Sequence, residues 1–181
     1  MKKFELTNEF ITNMFGTKLF RIRALVEFGD VEAGELGGYV EKESNLGHDD
    51  NAWVYDNAWV YGDAQVSGDA LVYDNARVYG NAQVSGDALV CGDARVCGNG
   101  DYAYAHGFGS VNRTTTFFRL KDGGVGVRCG CFYGTLAQFR DKIRETHGET
   151  KKAQEYLMLA DLMELRFEED ENEVGNRKYV E

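Results

Sequence analysis

The sequence predicts a mainly β protein with a parallel β-helix at its centre, and three observations predict it. Valine recurs every sixth residue from Val54 to Val96, alanine likewise from Ala52 to Ala94, and Asp-Asn, Gly-Asp or Gly-Asn pairs fall between successive units. Eight such units run without interruption from Asn51. Six is not a helical period, and an α-helix would scatter the valines around its circumference. The pattern instead describes a short strand, a corner and another short strand. Val points inward, the small Ala sits where the wall bends, and Gly, Asn or Asp supplies the positive φ of the corner.

Three units close a triangular coil of 18 residues, because QVSGDALVYDNARVYGNA from Gln65 is followed by QVSGDALVCGDARVCGNG from Gln83. Like then stacks on like. At this point the sequence resembles the hexapeptide-repeat family, which implies a left-handed β-helix and commonly a homotrimer. The superperiod also sorts the outward residues into three faces. Trp53, Tyr55, Leu71, Tyr73, Leu89 and Cys91 form an apolar face expected to be covered, which is the motive for expecting a homotrimer. Gln65, Ser67, Gln83 and Ser85 form a solvent face. Trp59, Tyr61, Arg77, Tyr79, Arg95 and Cys97 form a third, a mixture of aromatic and guanidinium groups that suits either a subunit interface or an anion site.

The segments on either side divide the chain into a cap at residues 1–50, the coils at 51–100, a hairpin segment at 101–134 and a helical segment at 135–181. In the cap, Lys18 to Phe28 is strand-like, and Gly29-Asp30 and Gly37-Gly38 read as turns. After the coils, Thr114 to Lys121 and Val125 to Phe132 flank Asp122-Gly123-Gly124 and read as a β-hairpin. Alternation places Phe118, Leu120, Val125, Val127, Cys129 and Cys131 on a packed face. Arg113, Thr115, Phe117, Arg119, Lys121, Arg128 and Phe132 then form a basic, aromatic face, expected to be solvated or paired with the acidic C-terminal tail. Thr135 to Gln138 has the form of a capping box, and Leu136, Phe139 and Ile143 make one apolar stripe ahead of Gly148. Thr150 opens a second helix with Ala153, Tyr156, Leu157, Ala160, Met163 and Phe167 at helical spacing. The run EEDENEVGN beyond Phe167 is expected to fray.

GELGGYVEKESNLGH, the coils, GSVNRTTTFFR and CGCFYGTLAQF together resemble a group of phage and prophage hexapeptide-repeat proteins. That resemblance implies a viral origin and a place in the host cytoplasm, without a particular activity.

Composition narrows the function. The formal charge of −10 argues against general binding to nucleic acid or anionic membrane. Residues 113–128 carry four positive charges and one negative, leaving −13 on the remainder, so an anion site would be a local exception. No apolar run approaches ~18 residues, and the opening MKKFELTNEF is broken by Glu5 and Asn8 before a signal core could form, which predicts a cytoplasmic protein. The four cysteines, Cys91, Cys97, Cys129 and Cys131, lack zinc-type spacing and are expected as thiols.

Hexapeptide acyltransferases that use acetyl-CoA are similar in fold and need a His base. His48, His106 and His147 all lie outside the eight units, and His106, just past the last coil, is the candidate if the protein is an acyltransferase. A carbonic-anhydrase-like zinc site needs three His close together, and Cys129 and Cys131 read better as small core residues than as metal ligands. The expectation is therefore a non-catalytic protein with no cofactor and no metal, binding a small anionic ligand such as a phosphorylated nucleotide signal of host defence. Its expected ligand residues are Arg113, Thr115, Phe117, Arg119, Lys121 and Arg128, joined by Tyr61, Arg77, Tyr79 and Arg95. A protein-binding inhibitor is the competing reading, since the same residue types serve it.

Overall fold

Eight two-residue strands follow the valine period: β4 (Trp53–Val54), β5 (Trp59–Val60), β6 (Gln65–Val66), β7 (Leu71–Val72), β8 (Arg77–Val78), β9 (Gln83–Val84), β10 (Leu89–Val90) and β11 (Arg95–Val96). They come from a computed structural model that describes residues 1–109 and 111–168. The acidic run from Glu169 onward lies outside the described residues.

The strands stack in parallel at a spacing of 18 residues, with Leu71 beside Leu89, Arg77 beside Arg95 and Gln65 beside Gln83. The chain is thus a β-solenoid of three walls. All eight valines and all eight alanines of the repeat are fully buried, forming one column of core. The corners have the expected geometry, since Asp56 and Asp74 sit at φ +52° and +60° and Gly62 to Gly92 fall at similar angles.

The parallel pairing begins before the first complete unit. β1 (Phe4–Thr12) and β2 (Lys18–Ala24) form a hairpin, and β2 pairs with β3 (Leu36–Val40), which lies parallel to β5 with Tyr39 beside Trp59. One wall therefore extends into a six-stranded sheet, β1-β2-β3-β5-β8-β11. Gly37 and Gly38 are not a turn: they lie buried inside β3, where a Cβ on Gly38 would stand 2.7 Å from the Ala58 carbonyl oxygen. β3 lies against the first coil so closely that no side chain fits between. Lys3 closes the same end. Its buried Nζ donates to the Ala52 carbonyl at 2.9 Å and the Asp50 carbonyl at 3.2 Å, and desolvation lowers its pKa.

At the other end stands a four-stranded antiparallel sheet of β12 (Tyr102–Phe108), β13 (Arg113–Arg119), β14 (Val125–Cys129) and β15 (Phe132–Thr135), in that order. Two helices, α1 (Leu136–His147) and α2 (Lys151–Phe167), cover its far side. The capping box forms as expected, with Thr135 accepting from the Gln138 amide and the Gln138 side chain accepting from the Thr135 amide. Thr150 caps α2.

The hairpin forms where expected, but its faces require correction. Arg119 pairs with Val125, so Thr115, Phe117 and Arg119 share a face with Cys129, Val127 and Val125. That face is packed against α1 and α2, where Phe117 meets Phe139 edge-on at 6.0 Å. Thr116, Phe118 and Arg128 face the coils. Phe118 joins the valine core, Thr116 Oγ1 accepts from the Leu89 amide at 2.9 Å, and the Arg128 guanidinium lies 5.7 Å from the Tyr73 ring centre. A sheet held between two layers has no solvated side, so alternation cannot leave one face wet.

The apolar coil face is partly covered by the chain itself. Trp53 is buried against Phe4 and Phe28 of the cap, and Cys91 is buried beneath the C-terminal sheet's side of the stack, while Leu71, Tyr73 and Leu89 stay half-buried.

Candidate functional site

The third coil face survives as a coherent surface. Register stacks its outward residues in two rows. The first runs Tyr39, Trp59, Arg77, Arg95, one residue per strand of β3, β5, β8 and β11. The second runs Tyr61, Tyr79, Cys97, each one residue beyond a core valine. Adjacent strands are about 4.8 Å apart, so neighbours in a row touch. The Tyr61 and Tyr79 rings lie parallel at 5.2 Å with 6° between planes, and the Arg77 guanidinium lies 4.1 Å from the Trp59 ring centre.

The charge balance along the first row is uneven. At its upper end Arg21 donates to the Tyr39 hydroxyl, which donates to Glu9, and Arg21 stands 3.6 Å from the Glu9 carboxylate. Arg77 and Arg95 form no ion pair among the described residues. Among the described residues Arg95 donates to the neutral carbonyls of Asn75 and Ala94. Burial, and then the charge of Arg77 beside it, lower the Arg95 pKa, with Asp93 offsetting this in part. The Arg95 guanidinium nevertheless stays charged. Burial pushes the Tyr79 hydroxyl up to about 12 and raises Tyr61 as well, so both remain protonated donors at neutral pH. The wall thus offers two guanidinium groups without an ion pair among the described residues, and two hydroxyls.

Of the expected ligand residues, Tyr61, Arg77, Tyr79 and Arg95 are therefore brought together. The hairpin set is not. Thr115 and Phe117 are buried beneath the helices. Arg119 is buried too, donating to the Phe167 carbonyl at 2.9 Å and the Gly123 carbonyl at 3.1 Å, so its charge sits at the C-terminal end of α2, where the helix dipole favours a cation. Arg128 turns to the coils, and Phe132 packs on Phe139. Arg113 and Lys121 remain exposed, beyond opposite ends of the strand's buried stretch, roughly 25 Å apart along it.

Trp59, Tyr39 and Arg21 complete the first row. Tyr39-Val40 repeats the aromatic-valine pair of Trp59-Val60, which is the signal that carries the wall back into the cap.

His106 lies elsewhere, on β12 at a cleft of ≈ 510 Å³ that Asp69, Asp87, Leu89, Arg113 and Thr114 also line. Its Nδ1 is 2.8 Å from Thr114 Oγ1 and 3.4 Å from the Asp87 carboxylate. His48 has a structural role, its Nδ1 accepting from the Lys3 amide while Nε2 faces Glu43 at 3.0 Å. His147 stacks on Tyr156 at 6.0 Å. The four cysteines form no disulfide, and no helix among the described residues is long and apolar enough to cross a membrane.

A repeat of known type coincides with the coils. The family model described as the YdcK beta solenoid repeat matches residues 64–80, 70–86 and 82–98. The match identifies a β-solenoid repeat and stops short of the third face's ligand: it names neither a phage protein nor an acyltransferase. No curated protein matches the chain.

Proposed function

We propose that this is a non-catalytic binding protein whose third coil face captures an anionic ligand, with a phosphorylated nucleotide as the ligand class. The observation that carries the reading is the register pair Arg77 and Arg95, two like charges one strand apart and in no ion pair among the described residues, beside the stacked Tyr61 and Tyr79. Like charges at that spacing repel, and a phosphate bridging them relieves the repulsion while accepting charge-assisted hydrogen bonds. The aromatic residues around them add ring contacts for a base. A ligand lying on a wall is enclosed on one side only, which sets the expected affinity in the micromolar range, roughly 1–100 μM. Sequestration of a host-defence signal in the cytoplasm belongs to this proposal as its biological form.

Calorimetric titration with a panel of linear and cyclic nucleotides tests it. Arg77→Ala or Arg95→Ala is expected to weaken binding by roughly ten- to a hundredfold. If no member binds more tightly than ~100 μM, the nucleotide reading falls. Binding of an acidic peptide in its place, sensitive to the same two substitutions, favours the protein-binding inhibitor.

One observation favours acyl transfer as a second reading, namely His106 beside Asp87 at the ≈ 510 Å³ cleft. A carboxylate at Nδ1 would hold the ring with Nε2 available as a base. Thiol release from acetyl-CoA that is abolished by His106→Ala would support it.

A further inference from the structure

α2 is apolar on two opposite sides. Ala153, Tyr156, Ala160, Met163 and Phe167 are buried against the sheet and α1. Met158, Leu162 and Leu165 are 70%, 54% and 67% exposed. Their spacing of i, i+4 and i+7 makes a continuous stripe, and at 100° per residue its centre falls roughly 170° from the centre of the buried face. A helix lying on a domain surface ordinarily turns charged and polar residues outward. Three large side chains in one row are a packing surface without a partner in this chain's described residues.

The charges beside the stripe select the occupant. Glu155 and Arg166 are eleven residues apart, three turns, and so flank the stripe on the same side. In a parallel pairing of two or three such helices the flank of one helix meets the opposite flank of the next, so Glu155 and Arg166, both on one flank, would find no partner in each other. An antiparallel pairing about a twofold axis near Ala160 and Asp161 instead sets Glu155 against Arg166 of the partner subunit, and the reciprocal pair forms by symmetry. The same register lays Met158 beside Leu162 of the partner subunit. The local contacts that these two charged groups make are weak. Glu155 lies 3.8 Å from Lys151, and Arg166 reaches the Asn99 carbonyl at 3.4 Å, so neither is committed within the chain.

We infer that the exposed stripe of α2 is a homodimer interface in which the α2 helices of two copies pack antiparallel. The test uses the full chain and light scattering or sedimentation. The wild type is expected at the mass of two chains at about 50 μM, with a melting temperature that rises with protein concentration, and Leu162→Asp at the mass of one chain, still folded and with a melting temperature independent of concentration. Glu155→Arg and Arg166→Glu are each expected to raise the dimer dissociation constant by roughly tenfold, and the double variant to restore it. Restoration is the readout that a merely sticky helix would not give. A wild type at the mass of one chain overturns the inference. It is equally overturned by a mass that Leu162→Asp leaves unchanged, by a three-chain assembly that Leu162→Asp dissolves, or by a double variant that fails to restore association.

Discussion

The third coil face and the β13–β14 hairpin each present arginine among aromatic residues in the sequence, yet the fold uses them in opposite ways. In the coils, one side of every two-residue strand is committed to a core of valine, so whatever flanks the valine must lie outside. In the C-terminal sheet both sides are committed, one to the coil end through Phe118 and the other to the helices through Phe117. The same residue types therefore make a surface in one place and an interior tie in the other. Arg95 meets neutral carbonyls at the edge of a wall, whereas Arg119 reaches across the domain to the last turn of α2.

The sharpest way to break that contrast is to remove the two phenylalanines that make the sheet two-sided. Phe118→Ala and Phe117→Ala each delete a fully buried ring, and each is expected to cost about 3–5 kcal/mol in urea unfolding. If β13 were a one-sided strand, only Phe118→Ala would be expensive. A cost below about 1 kcal/mol for Phe117→Ala would show that α1 and α2 do not pack on it.

Arg119→Ala is the next largest. It strands the Phe167 and Gly123 carbonyls and deletes a guanidinium lying 5.2 Å from the Phe167 ring centre, for an expected loss of about 1–3 kcal/mol. Amide exchange at the end of α2 should rise with it. Arg77→Ala provides the comparison, since it removes a partly exposed cation–π contact worth about 0.5–1 kcal/mol while relieving repulsion from Arg95. Its net effect on stability is expected within about 0.5 kcal/mol, and its effect on ligand binding is the larger one. Equal destabilisation by the two substitutions would erase the distinction between surface and tie.

The difference between the regions also explains what was legible in the sequence. A period of six with a superperiod of 18 specifies the interior, the corners and the stacking partners together, so Tyr61, Arg77, Tyr79 and Arg95 could be placed on one wall from spacing alone. Alternation in β13 correctly put Phe117 and Phe118 on opposite faces, but it carries no information on which face is covered. It also could not fix the pairing across Asp122-Gly123-Gly124, where a shift of one residue moves Val127 from Phe118's side to Phe117's. Gly37 and Gly38 misled for a related reason. Glycine marks a close approach of backbones as readily as a turn, and only the position of Ala58 decides between them. The Glu9, Arg21 and Tyr39 network is set by β2 pairing with β3, and its place at the head of the coil row depends on β3 joining the wall, a long-range pairing announced by nothing more than one aromatic-valine pair.

The smallest effect concerns the tyrosine row, and it reports whether the third face is packed as tightly as its register implies. Burial holds the Tyr79 hydroxyl proton up to about 12, against an ordinary value of 10, and shifts Tyr61 in the same direction. A raised pKa on a group that is neutral when protonated means that the folded chain holds the proton where the unfolded chain has released it. The stability this contributes is complete below pH 10 and is lost as pH rises from 10 towards 12. Titration of the folded protein by tyrosinate absorbance should accordingly show ionisation beginning near pH 10 with a late component, of which Tyr79→Phe removes part. The same substitution should flatten the fall in stability between pH 10 and 12, while leaving stability at pH 7 changed by less than about 1 kcal/mol, because the ring and its stacking on Tyr61 are retained. Tyr102, which lies off the row and has its hydroxyl donating to the Gln83 carbonyl at 2.6 Å, gives the control position for the same substitution. A late component that Tyr79→Phe leaves intact would place the tightly held hydroxyls away from this wall, and the surface beside Arg77 and Arg95 would then be a looser, wetter one than the stacked rings describe.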